Sequence, residues 1–153
     1  MKQEERNEQN VLFLCTGNYY RSRFAEILFN IYARDRGVPW NAVSRGIAVD
    51  LGINNVGPVS WAVVLGLEER GYQLPGEPDG PRELKYDDLQ NADRIIALNE
   101  REHRLLISQR FPEWTDRMEY WNIEDLDRSS PAVAMNIMDL NIQRLISRLQ
   151  NDY

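Results

Sequence analysis

A doubly wound α/β domain, with a small parallel sheet covered by helices on both faces, is the fold this sequence predicts. Short apolar runs alternate with segments of helical periodicity along the chain, a pattern that calls for right-handed crossovers between parallel strands. The apolar runs are continuous rather than alternating, as in strands buried on both faces. Turn-forming residues separate the segments, and no internal repeat or second-domain linker interrupts them.

The first strand is read from Val11-Leu12-Phe13-Leu14-Cys15. From Ser22 the pattern becomes helical, with Phe24, Ile27, Leu28 and Ile31 at spacings of three and four and Gly37 as the stop. A second strand is expected over 42–47. A helix follows Pro58, with Val59, Val63 and Leu67 on one face, Val64 and Leu65 widening the stripe, and Gly71 behind it. Residues 74–81 hold three prolines and two glycines and read as a loop. Ile95-Ile96-Ala97-Leu98 gives a third strand over 93–98, and the next helix is expected to use Leu105, Leu106 and Ile107. A short fourth strand is placed at 117–121. Ser130-Pro131 then caps a last helix carrying Met138, Ile142, Leu145 and Leu149.

A chain of 153 residues suits one such domain, which at this size buries roughly two thirds of its unfolded surface. Residues 1–10 are expected to form a polar, flexible leader and 11–153 the single domain. The 42% hydrophobic and 27% charged content argues against disorder. No apolar stretch approaches the roughly 20 residues of a membrane span, and the polar first ten residues do not resemble a secretory signal. A cytoplasmic protein without membrane contact is expected. The net charge of −6 argues against a nucleic-acid partner. Any anion site must be local, and among the 18 basic residues only Lys2 and Lys85 are not arginine, the better bidentate group for an oxyanion.

The lone cysteine, Cys15, excludes an internal disulfide and a multi-thiol metal site. It falls where sheets of this type bind ligands, beyond the carboxyl end of a strand and before a helix N-terminus. Cys15-Thr16-Gly17-Asn18-Tyr19-Tyr20-Arg21-Ser22 can wrap one small anion. Its backbone N–H groups can converge as a nest, with Gly17 permitting close approach and unusual dihedrals, Asn18 tolerating a left-handed conformation, and Arg21 clamping from the side. Thiols beside arginines and helix N-termini are held as nucleophilic thiolates. Ser22 is placed to donate a hydrogen bond to the sulfur. A lone cysteine ending a core strand is more commonly an inert buried residue, and it is the neighbours that favour chemistry here.

The stretch VLFLCTGNYYRSRFAE resembles the signature of low-molecular-weight protein tyrosine phosphatases, with its Cys-x5-Arg-Ser loop. Ser44-Arg45-Gly46 is similar to the segment after that family's second strand, and ADRIIALNEREH to its third strand and following helix. The resemblance implies a three-layer, flavodoxin-like fold with four parallel strands. It also implies hydrolysis of phosphotyrosine through a phosphocysteine, with no metal or cofactor. The partners it implies are a tyrosine-phosphorylated protein or a small aryl phosphate, with inorganic phosphate as product. Cys15 would attack phosphorus, Arg21 would stabilise the equatorial oxygens, Thr16 to Tyr20 and Ser22 would bind the phosphoryl group, and Asn18 would hold the loop through Ser44.

The family's general acid is an aspartate in an Asp-Pro segment, and Trp121-Asn122-Ile123-Glu124-Asp125-Leu126-Asp127 matches it. Asp125 is the candidate, with Asp127 and then Glu124 as substitutes. Leu126 stands in place of the proline. The single histidine, His103, is expected on a solvated helix face. Tyr20 replaces a second cysteine common in the family, so no protective disulfide can form within the loop, and Arg23 replaces a proline and is expected to add charge beside the pocket. Tyr19 is a candidate aromatic wall. Two other functions fit the loop: a phosphotyrosine-binding protein without turnover, and an arsenate reductase, which with one cysteine would need an external thiol.

Overall fold

The structure, a computed structural model, describes residues 9–52, 54–126 and 128–151. Most of the polar leader, and Asp127, lie outside the described residues. The elements run β1 (Gln9–Cys15), α1 (Arg21–Asp35), β2 (Trp40–Gly46), α2 (Trp61–Glu69), α3 (Tyr86–Asn91), β3 (Arg94–Ala97), α4 (Glu100–Arg110), β4 (Glu119–Tyr120) and α5 (Pro131–Asn151). Short 3₁₀ turns occur at Val49–Gly52 and Pro112–Trp114. All strand pairs are parallel, in the order β2-β1-β3-β4.

Register and burial explain why β1 is central. It pairs from Gln9↔Trp40 to Cys15↔Gly46 on one side and from Val11↔Arg94 to Leu14↔Ala97 on the other. Its side chains alternate between two cores. Val11 and Phe13 pack with α1, α2 and α5, through residues such as Phe24, Leu67 and Met138. Leu12 and Leu14 face Leu89 of α3, Ile107 of α4 and Trp114. All four are fully buried, each stabilising the fold by roughly 1.5–3 kcal/mol. The chain leaves β1 towards β2 on one side and returns to β3 on the other, so the ends of β1 and β3 form the crevice at which this topology binds ligands.

Differences from expectation have local causes. β1 starts at Gln9, ahead of the apolar run, because Trp40 and Asn41 offer partners there. α2 begins at Trp61, capped by Ser60, whose hydroxyl accepts from the Ala62 amide; Pro58 lies in the loop before it. α3 carries only one buried apolar residue, Leu89, too little periodicity to read. α4 packs through His103 and Ile107, while Leu105 points into solvent. β4 is only two residues long. Among the described residues, no helix is long and apolar enough to cross a membrane.

Candidate active site

Cys15 ends β1 and Arg21 begins α1, so the five residues between them form a loop around the helix N-terminus. That terminus is open. No side chain caps α1 and its first turn holds no acid, whereas α2 is capped by Ser60 and α4 by Asn99. Uncapped N–H groups and the positive end of the helix dipole suit a bound anion.

The loop is braced from behind. Asn18 adopts φ 52, the single non-glycine left-handed residue among those described. Its amide nitrogen donates to Ser22 Oγ at 2.9 Å and Ser44 Oγ at 3.0 Å, and its carbonyl oxygen accepts from the Arg82 amide at 2.9 Å. The expected contact between Asn18 and Ser44 is therefore present. Ser44 donates in turn to Glu26. Ser22 Oγ lies 2.9 Å from Cys15 Sγ. Because that oxygen accepts from Asn18, its own proton is free for the sulfur.

Gly17 has an ordinary φ and space for a Cβ, contrary to the expectation of unusual dihedrals there. The constraint sits at Gly46, which sequence reasoning missed. A Cβ on Gly46 would lie 2.9 Å from the Thr16 carbonyl oxygen and 3.0 Å from the Asn18 amide nitrogen. Only glycine lets the end of β2 approach the loop so closely.

One cavity of about 370 Å³ joins Cys15, Arg21 and Asp125. Thr16, Gly17, Tyr19 and Tyr20 line it from the loop, and Asn55 and Leu126 complete it. Asn18 and Ser22 are buried behind the loop rather than facing the cavity. Tyr19 is anchored by its hydroxyl, which donates to the Val56 carbonyl at 2.6 Å. Tyr20 is buried, and its hydroxyl has no hydrogen-bond partner among the described residues. Burial pushes that hydroxyl up to about 12, with Asp125 adding to the shift and Arg21 opposing it. Arg23 stands beside the pocket rather than in it, and its charge is felt at Cys15 as expected. Its guanidinium donates to the carbonyls of Pro58 and Asp79, outside this cavity.

The Asp125 carboxylate is half-exposed and lies 3.5 Å from the Arg21 guanidinium. Its Oδ1 accepts from the Leu126 amide at 2.9 Å. Glu124, a substitute acid in the sequence reading, instead pairs with Arg101 at 3.1 Å.

His103 is fully buried, contrary to the solvated face expected for it. Its Nδ1 accepts from the Asn99 amide at 3.0 Å, so the proton is on Nε2, which is 3.2 Å from both Thr16 Oγ1 and Glu102 Oε2. Glu102 accepts from Arg21 at 2.8 and 3.3 Å and from the Thr16 hydroxyl. Burial pushes its carboxyl up, but hydrogen bonds from His103, Arg21 and Thr16 outweigh that and hold it well below the usual carboxylate range. Burial opposes the charge on Arg21, and the Cys15, Glu102 and Asp125 charges together more than offset it. Sequence reasoning missed Glu102. The signal was Asn99-x-x-Glu102, a capping-box spacing directly after β3, at the end of the sheet where the loop lies.

A family model described as low molecular weight phosphotyrosine protein phosphatase matches residues 10–144. The chain belongs to that family. It is a cysteine-dependent phosphatase. Among solved structures, a low molecular weight protein tyrosine phosphatase from T. tengcongensis is 25% identical, with a TM-score of 0.72 over 95% of this chain and 100% of that one. YfkJ from Bacillus subtilis reaches a TM-score of 0.79 at 21% identity, over 95% and 97% of the two chains. The YwlE arginine phosphatase from Geobacillus stearothermophilus has a TM-score of 0.73 at 23% identity, over 94% of each chain. No curated protein sequence matches this chain.

Proposed function

We propose that this phosphatase hydrolyses phosphotyrosine and related aryl phosphate monoesters. The observation that carries the reading is a cavity lined by Cys15 and Arg21 together with Tyr19, Tyr20 and Leu126. Two aromatic rings and a branched aliphatic chain suit a flat ring extending from a phosphoryl group seated in the loop.

In the first step the Cys15 thiolate attacks phosphorus and forms an S–P bond as the P–O bond to the ring breaks. The Asp125 carboxylic acid gives its proton to the departing oxygen. Arg21 and the loop N–H groups stabilise charge on the equatorial oxygens. In the second step the Asp125 carboxylate takes a proton from water as that water attacks phosphorus, the S–P bond breaks, and the thiolate returns with Ser22 donating to it. Asn18 maintains the loop from behind.

The test compares a phosphotyrosine peptide with a phosphoarginine peptide on wild type and on Cys15→Ser under reducing conditions. Phosphotyrosine turnover should dominate and fall by about 10⁴-fold or more in the variant. A higher kcat/KM on phosphoarginine would replace the aryl reading. Phosphopeptide binding by the wild type without turnover or a phosphocysteine would favour a binding role.

A further inference from the structure

The Arg21 guanidinium has five N–H donors. Its Nη1 serves Glu102 Oε1 at 3.3 Å and the Ile123 carbonyl at 3.0 Å, and Nη2 serves Glu102 Oε2 at 2.8 Å. Glu102 thus grips the end of the fork. Nε–H and the second Nη2 proton have no hydrogen-bond partner among the described residues, although the Asp125 carboxylate stands 3.5 Å from Nη2 as a looser ion pair. These two donors are parallel and on one edge, the pairing that matches two oxygens of a phosphoryl group.

We propose that Glu102 is a positioning residue: it holds Arg21 end-on, reserves the side edge of the guanidinium for the phosphoryl group, and limits how tightly the loop retains product phosphate. This rests on the phosphatase reading above. An N3 glutamate in a helix would ordinarily turn back to the N-cap amide. At the start of α4 that amide, on Asn99, is instead taken by His103 Nδ1 at 3.0 Å, while Asn99 Oδ1 caps the Glu102 amide at 3.0 Å. His103 thereby frees the Glu102 carboxylate for Arg21. The same carboxylate accepts from Thr16, which immediately follows the nucleophile, so one anionic group fixes both the clamp and the first residue of the loop.

Thr16, His103 and Glu102 have the outline of a hydroxyl nucleophile with its base, but the tautomer excludes that use. Nδ1 is occupied as an acceptor and Nε2 carries the proton, so His103 has no lone pair to offer Thr16. Its role is to donate. Glu102 also adds one negative charge beside the Arg21 that must attract phosphate. Removing that charge strengthens anion binding while releasing the fork.

The test uses inorganic phosphate, with affinity measured on Cys15→Ser and steady-state kinetics on the chain with Cys15 intact. Glu102→Gln places a donor NH2 against donors and removes the charge. Phosphate should then bind about fivefold more tightly, and kcat should fall about tenfold with KM also lowered. Glu102→Asp keeps the charge, so phosphate affinity should stay within about twofold of the parent. His103→Phe leaves Glu102 in place but lets the Asn99 amide recruit it, and should shift both quantities in the same direction by less. Unchanged phosphate affinity in both Glu102→Gln and His103→Phe overturns the proposal. So does a fall in kcat with KM unchanged and a lowered Tm, the signature of a purely structural residue. The affinity series does not depend on turnover, so a wild type without activity would sink the phosphatase reading while this series still reads the role of Glu102.

Discussion

The two regions that meet in the cavity are built in opposite ways. The phosphate loop is tied down: Asn18 makes three hydrogen bonds behind it, Glu102 and Ile123 hold Arg21, and Gly46 brings β2 against its backbone. The acid segment is joined to the core through Ile123, whose amide donates to the Leu98 carbonyl at 2.7 Å, but beyond it Asp125 and Leu126 project with much of their surface exposed. In the proposed mechanism the nucleophile and its clamp are in place before phosphate arrives, because preorganised donors need no rearrangement during reaction. In that mechanism the acid admits a substrate, protonates its leaving oxygen and then receives water, which favours a less confined carboxylate.

The sharpest way to break this contrast is at Gly46. Gly46→Ala sets a Cβ against two backbone atoms of the loop, neither of which can swing aside. It should lower kcat/KM about 10³-fold and weaken phosphate binding in parallel, with a stability loss of about 1–3 kcal/mol. Turnover, phosphate titration and thermal unfolding of the same variant check it, and a variant with intact phosphate binding would show that the loop is not set by this approach. Asp125→Asn tests the other region. It should tighten phosphate binding a few-fold, because a carboxylate 3.5 Å from the Arg21 guanidinium loses its charge, and slow a substrate with a poor phenolate leaving group about 10²-fold, with little effect on a nitrophenolate. Equal slowing of both substrates would move the acid role elsewhere. Ser44→Ala removes one of the contacts behind Asn18 and should cost about 1 kcal/mol of stability, with kcat lowered only a few-fold. A loss as large as that of Gly46→Ala would mean that the side-chain braces, rather than backbone proximity, shape the loop.

The sequence reading succeeded where a residue's role follows from its neighbours along the chain. The apolar run ending in Cys15, the spacing to Arg21 and the helical stripe from Met138 to Leu149 each mark a local pattern that tertiary structure keeps. It failed where the partner is remote. His103 looked solvated because its neighbours Arg101, Glu102 and Arg104 are charged, yet α4 turns that position under the loop, 87 residues away at Thr16. Gly46 carried no mark of its own, since its constraint comes from Thr16 and Asn18 across a strand pairing. Arg23 is expected beside the pocket from the proline it replaces, but its carbonyl partners, Pro58 and Asp79, are 35 and 56 residues away and show only in the fold. Tyr20 was noted for the cysteine it replaces, while its buried hydroxyl could be seen only with the fold in hand.

The smallest predicted effect lies beneath the loop and is read through pH. Burial lowers the His103 imidazole from its ordinary 6.5, Glu102 partly opposing this and Arg21 adding to it. The unfolded chain therefore binds a proton near pH 6.5 that the folded chain does not accept, so this contribution to stability is present above pH 6.5 and is lost as pH falls below it. Glu102 is depressed from 4.5, so its contribution is present above that value and is lost as pH falls further. Glu26 runs the other way: burial raises it above 4.5, and its contribution is lost as pH rises through its folded value. Thermal unfolding should therefore show a decline in Tm beginning below pH 6.5 in the wild type. His103→Gln, which has no titrating ring, should remove the decline between pH 6.5 and 5 and retain the steeper fall below 4.5. If the variant keeps the upper slope, the buried imidazole is not its source. The bracing beneath the loop would then be insensitive to pH over the range in which a cysteine-dependent phosphatase is assayed.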